Sequence, residues 1–206
     1  MNKYRKHNED NKLHPKSNND IFNPIYPKEY YQREQILIYF QKHPLTVISG
    51  EDLLVISGTE NYARRVRELR VKFGWSIFSE QTIKEMSQQG DLPLEVHKMK
   101  PEDYILVSTF QDRIAPYRWN VAKDIRKSKG SSQNKLLEFL KHNIGEPVTG
   151  EELRYIYNNK SIWAKRVKEL KTKYGWPIIT STENPELPVG TYLLESLHQS
   201  PKPAAK

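Results

Sequence analysis

The chain carries one stretch twice, and this duplication limits its architecture more than any other feature. Ser49-Gly-Glu-Asp-Leu-Leu-Val-Ile56 returns as Thr149-Gly-Glu-Glu-Leu-Arg-Tyr-Ile156. Tyr62-Ala-Arg-Arg-Val-Arg-Glu-Leu-Arg-Val-Lys-Phe-Gly-Trp-Ser-Ile77 returns as Trp163-Ala-Lys-Arg-Val-Lys-Glu-Leu-Lys-Thr-Lys-Tyr-Gly-Trp-Pro-Ile178. Upstream, Ile36, Leu37 and Phe40 answer to Leu136, Leu137 and Leu140, and downstream Tyr104-Ile-Leu106 answers to Tyr192-Leu-Leu194. A repeat of this kind makes one supersecondary unit the building block. The length of 206 residues agrees, allowing one large domain or two small ones. With hydrophobic residues at 36%, one large core is out of reach, but two compact modules are not.

Each copy reads as the same four-part unit. A first helix carries its apolar residues at i, i+1 and i+4, one stripe facing a core. A second opens on a capping box, Ser49-x-x-Asp52 or Thr149-x-x-Glu152, the first being weaker because Asp replaces the preferred Glu or Gln. A third runs from about residue 61 to 73 and from about 162 to 174, and stops at Gly74 and Gly175, glycine being the residue that best accepts a left-handed C-terminal turn. Strands then start at Trp75 and Trp176, with partners at Tyr104–Val107 and Tyr192–Leu194. The expected fold is α+β, mainly helical, as two tandem winged helix-turn-helix domains. The expected boundaries are a disordered polar tail over 1–27, a first winged helix over 28–108, a basic linker over 109–132, a second winged helix over 133–197, and a short tail over 198–206. The first domain has a long hairpin loop, about 79–102, against about 180–190 in the second. Trp119, Ala122 and Ile125 at i, i+3 and i+6 suggest a short helix in the linker, and Lys129-Gly-Ser-Ser132 a hinge or helix cap.

Charge points to a partner. The net charge is +8 with a pI near 9.4, and it is concentrated. Glu60–Lys72 holds five basic residues against two acidic, while Lys160–Lys173 and Arg113–Ser132 each hold six against one. Such segments suit a polyanion. No apolar run approaches the roughly 20 residues of a membrane span, and no apolar stretch follows the basic N-terminus as in a signal peptide. The absence of cysteine excludes disulfides and thiolate metal sites. The expectation is a cytoplasmic protein without membrane or small-molecule partners.

At about 100° per residue, Tyr62, Val66, Leu69 and Phe73 cluster on one side of the third helix. The opposite side holds Arg64, Arg67 and Glu68, and in the second copy Lys165, Lys168 and Glu169. In a major groove, Arg or Lys can donate to guanine and Glu can accept from cytosine, so these six are the base-reading candidates. Arg65, Lys72, Lys160, Arg166, Lys173, Arg126 and Lys127 are the phosphate candidates. A charged helix face is ordinarily just solvated, with Arg64–Glu68 and Lys165–Glu169 as i,i+4 pairs that contribute a few tenths of a kcal/mol. The same charge pattern in both copies, each followed by a hairpin, favours double-stranded DNA. The tryptophans read as core residues, Trp119 packing against a repeat.

Chemistry is sparse. The six histidines show no metal-ligand spacing, and no phosphate-cradling glycine loop or nucleophile elbow occurs. Glu169-Leu-Lys171 has the Glu-x-Lys form of a nuclease motif but lies mid-helix. No catalytic residue, metal or cofactor is expected. The string Trp163-Ala-Lys-Arg-Val-Lys-Glu-Leu-Lys-x-x-Tyr-Gly-Trp-Pro-Ile178, followed by Leu187-Pro-Val-Gly-x-Tyr-Leu-Leu-Glu195, resembles a winged-helix module found upstream of HNH nuclease domains in bacterial restriction-type endonucleases. Tyr62–Ile77 with Asp103-Tyr-Ile-Leu106 is a more divergent version. The resemblance implies target recognition, with cleavage supplied by an HNH domain that does not follow here, so this chain is expected to bind and not to cut. Three alternatives remain: a recognition subunit of a nuclease on another polypeptide, a transcriptional repressor, and a protein-interaction adaptor.

Overall fold

The computed structural model describes residues 28–92 and 99–200. The expected tail over 1–27, Pro93 and the end at 201–206 lie outside the described residues. Within them the fold is α+β, with eight helices and two three-stranded antiparallel sheets. The first half runs α1 (Lys28–Lys42), β1 (Val47–Ile48), α2 (Gly50–Ser57), α3 (Tyr62–Phe73), β2 (Ile77–Ser79), α4 (Glu80–Gln89) and β3 (Tyr104–Leu106). After α5 (Ala115–Lys127) come α6 (Ser132–His142), β4 (Val148–Thr149), α7 (Gly150–Ile156), α8 (Trp163–Thr172), β5 (Ile178–Thr180) and β6 (Thr191–Leu194). Apart from α4, the element order repeats. So does the strand order, β1-β3-β2 and β4-β6-β5, with Ile48 opposite Tyr104 and Val148 opposite Tyr192.

Local chemistry explains the shared elements. Both capping boxes form, and the bond from the N-cap amide to the carboxylate is the shorter where that side chain is the longer. Thr149 N donates to the long Glu152 carboxylate at 2.7 Å, whereas Ser49 N reaches the shorter Asp52 at 3.3 Å. Gly74 takes φ 72°, and an added Cβ would meet the Asp112 carbonyl at 1.8 Å, so the stop of α3 needs glycine twice over. Ser131 caps α6 by accepting from Asn134 N, which makes the stretch before it a helix cap.

Two expectations fail. The long loop of the first copy contains α4, held by buried Thr82, Ile83 and Met86 and closed by left-handed Gly90. The hairpins are also three-stranded, because β1 and β4 each contribute two residues.

The halves are fused rather than strung together. Along β2 and β3, alternate side chains enter different cores: Ile77 and Leu106 join Phe40, Leu53 and Leu69, while Phe78 and Ile105 join a second cluster. That second cluster also takes Met86 of α4, Ala122 and Ile125 of α5, and Leu136, Phe139 and Trp163 of the second copy. The first sheet is thus buried on both faces. The stretch expected as a linker contributes α5, which packs between α3 and α7. Trp75, Trp119, Trp163 and Trp176 are all buried. Among the described residues, no helix is long and apolar enough to cross a membrane.

Candidate nucleic-acid interface

The third helices bury one stripe, Val66 and Leu69 in α3 and Trp163, Ala164, Val167 and Leu170 in α8, and present most of their basic residues on the other side. On α3, Arg64, Arg67 and Lys72 are exposed. Arg64 keeps 73% of its side chain in solvent, with Nε 3.6 Å from Glu68 Oε1. Arg67 has no ion-pair partner among the described residues. On α8, Lys165, Lys168 and Lys173 occupy the matching exposed positions, and Lys160 is exposed just before the helix.

Arg65 departs from its expected place beside the phosphates. It is 4% exposed and paired with Glu68 Oε2 at 3.1 Å. It lies next to the apolar stripe, and α1 packs along α3, which widens the buried arc. Its counterpart Arg166 is only half-buried and reaches Glu169 at 2.5 Å. Each acid on these faces is therefore held by an arginine of its own helix. The expected Lys165–Glu169 pair gives way to Arg166–Glu169 at i,i+3. A carboxylate so engaged offers little to a cytosine amino group without first releasing its arginine.

In α5, Lys127 is exposed, and the Arg126 guanidinium lies 4.3 Å from the centroid of the Tyr155 ring. Arg126 thereby joins α3 across a cleft of about 750 Å³ between the two halves. Arg67, Arg70 and Val71 line one side, Arg126, Arg154, Tyr155 and Asn159 the other. At its base Arg70 Nη1 donates to Glu151 Oε2 at 2.5 Å, while Ser79 N and Oγ donate to Oε1, each at 2.6 Å. Burial pushes the Glu151 carboxyl up, but Arg70, Arg154 and the Ser79 donors outweigh it, and the net shift is downward. Sequence reasoning missed Arg154 and Asn159, since no motif signals a partnership across two repeats. Among the described residues, no three His, Asp or Glu side chains gather where they could hold a metal ion.

No curated protein and no solved structure matches the chain. The family model of the KpnI N-terminal domain matches residues 33–107 and 133–195, one stretch in each copy, leaving out the segment that contains α5. These stretches make up most of the sequence, and the chain belongs to the KpnI N-terminal domain family.

Proposed function

We propose that the chain is a double-stranded DNA-binding protein of a restriction or defence system, built from two winged helices and recognising a specific site. One observation carries the reading: α3 and α8 expose basic residues at matching positions, Arg64, Arg67 and Lys72 in one and Lys165, Lys168 and Lys173 in the other. Arg64 and Arg67 of α3 are the base readers, whereas Lys165 and Lys168 of α8 serve the backbone, Lys168 being already tied to the Gln89 carbonyl. Lys72, Lys160, Arg166, Lys173, Arg126 and Lys127 hold phosphates. The family is named for KpnI, an HNH-type restriction endonuclease, which supports the restriction setting. In this reading the chain recognises DNA and leaves cleavage to another domain or polypeptide.

Selection from a randomised duplex pool at about 150 mM salt tests the specificity, and a salt titration tests the electrostatics. Neutralising roughly 6–10 phosphates makes affinity fall by about 10³–10⁵ between about 50 and 200 mM salt. A flat response refutes the reading.

A second reading, a recognition subunit that docks a nuclease, draws on Phe110, Ile114 and Tyr117. These large apolar side chains stand exposed on the segment joining the halves. Cleavage of the selected duplex only when a second polypeptide is added would favour it.

A further inference from the structure

The cleft occupies a place that is filled in the other copy. On α8, Ala164, Lys168 and Lys171 correspond to Ala63, Arg67 and Arg70 of α3. Helix α4 lies against the α8 face: Glu85 accepts from Trp163 N at 3.0 Å, and Lys168 Nζ donates to the Gln89 carbonyl at 2.9 Å. Ala164 is accordingly buried, while Ala63 is exposed. On α3, among the described residues, no helix covers the equivalent face, and it opens onto the cleft of about 750 Å³. That volume falls in the range of ligand pockets.

The lining has a particular chemistry. Tyr155 supports it from one side, edge-on to the buried Trp119 at 5.4 Å and covered by the Arg126 guanidinium. Most carboxylates within reach are committed. Glu151 is taken by Arg70 and Ser79, Glu102 accepts from Tyr62 Oη at 2.9 Å, and Asp103 accepts from Lys100 N at 2.7 Å. What faces the opening is Arg67, without an ion-pair partner among the described residues, with Arg126, Arg154, Asn159 and Glu80, while the Gln81 amide oxygen is taken by Arg154 Nη2. Cations with an aromatic platform suit a phosphate joined to a flat ring. The Asn159 amide can donate to and accept from the edge of that ring, and Glu80 can accept from it. Arg67 belongs at once to the cleft wall and to the α3 face proposed to meet DNA, so a strand beside that helix passes over the cleft mouth.

We propose that this cleft receives a single nucleotide swung out of the duplex that α3 engages. It rests on the duplex-DNA reading above. The base stacks on the Arg126 guanidinium, which Tyr155 backs, and is read by Asn159 and Glu80, while its phosphate lies against Arg154. A pocket lets a protein distinguish a base by all its edges, including positions that pairing hides in the duplex.

The test uses the full chain and the duplex recovered by selection. A mismatch is placed at each base pair in turn, and 2-aminopurine, which brightens when unstacked, is placed at any position where the mismatch alters binding. A mismatch at one position tightens binding by about tenfold, because the unpairing has already been done. 2-Aminopurine brightens there on complex formation. Gln81→Trp, which fills the cleft from the wall away from α3, abolishes both effects and leaves salt-sensitive binding in place. The proposal is overturned if the matched duplex binds with normal salt sensitivity but no mismatch tightens it and no position brightens. It is also overturned if Gln81→Trp behaves as the wild type. If no duplex binds under any salt condition, the DNA reading itself falls, and this proposal with it.

Discussion

The two third helices share charge and core stripe, yet their surroundings differ. Along α8, helix α4 covers Ala164 and engages Lys168, while Lys171 pairs with Glu183. Along α3, Ala63 and Arg67 open onto the cleft, Arg67 without an ion-pair partner among the described residues, while Arg70 pairs with Glu151 of the second copy. A duplicated sequence has thus produced one helix face covered by α4 and one that opens onto the cleft above the Arg70–Glu151 pair. The asymmetry comes from a single insertion, since α4 sits between β2 and β3, where the second copy has only turns. The teaching is that equal charge patterns do not mean equal reading heads. If the proposed duplex-DNA reading holds, α3 is the better placed for specificity, and α8 for backbone contacts through Lys165 and Lys173.

The largest effect that separates the copies is expected at a left-handed backbone position they share. Glu102 and Gly190 are equivalent, with φ 72° and 77°. Beside Gly190 lies the Phe78 ring of the first copy, and an added Cβ would stand 2.2 Å from it. Gly190→Ala therefore combines a left-handed penalty with overpacking, about 2–5 kcal/mol together. Glu102→Ala loses little more than the hydrogen bond from Tyr62, about 1 kcal/mol. Urea denaturation of the two variants measures both, and equal losses would show that the Gly190–Phe78 approach does not hold the halves together.

How far the sequence reveals this asymmetry depends on the range of the interaction. Caps, glycine stops and apolar stripes act within four or five residues, so Thr149-x-x-Glu152, Gly74 and the Val66–Leu69 stripe were all readable. Helix α4 left a trace too, with Ser79 at its N-cap position, Ile83 and Met86 one turn apart and Gly90 after its end. The trace was masked because the second copy offers a short loop at that place, and because the Ser79 hydroxyl serves Glu151 instead of capping the helix. Arg65 lay at the edge of the apolar stripe, where periodicity cannot decide between solvent and core. The cleft was illegible, because Arg70 meets Glu151, and Arg126 meets Tyr155, through tertiary packing that no local pattern encodes.

Next in size is the ion cluster. Glu151 is 2% exposed and answers Arg70 and Arg154, whereas its counterpart Glu51 is exposed. Glu151→Ala leaves two guanidinium groups short of their counterion and costs about 3 kcal/mol. Glu51→Ala stays within about 0.5 kcal/mol. Thermal melts of both decide it, and a mild Glu151→Ala would mean that the cluster is solvated through the cleft.

A smaller effect concerns recognition. Arg67→Ala is expected to cost about 1–3 kcal/mol of discrimination between the selected duplex and a random one. Lys168→Ala, already donating to the Gln89 carbonyl, is expected to weaken both duplexes alike. Competition binding at fixed salt reads both. If Lys168→Ala shows the specificity loss and Arg67→Ala does not, the assignment of the two helices is reversed.

The smallest effect is one of pH, and it tests the grip of α4 on the second copy. Burial pushes the Glu85 and Asp91 carboxyls up, despite the Trp163 amide on one and the Tyr192 hydroxyl on the other. A carboxyl raised in the folded state binds its proton more readily there than in the unfolded chain. Its favourable contribution is therefore full below the unfolded values, 4.5 for Glu85 and 3.8 for Asp91, and is lost as pH rises through the raised folded values. Glu151, shifted downward, runs the other way: its contribution stands above 4.5 and is lost as pH falls. Glu85→Gln keeps an acceptor for Trp163 N but no buried charge. Its urea midpoint should lie above that of the wild type at pH 7, and the gap should close toward pH 4. A variant less stable than the wild type at pH 7 would show that the Glu85 charge is held by Arg154 and the α8 amides strongly enough to repay its burial. In that case α4 grips the second copy through charge rather than in spite of it.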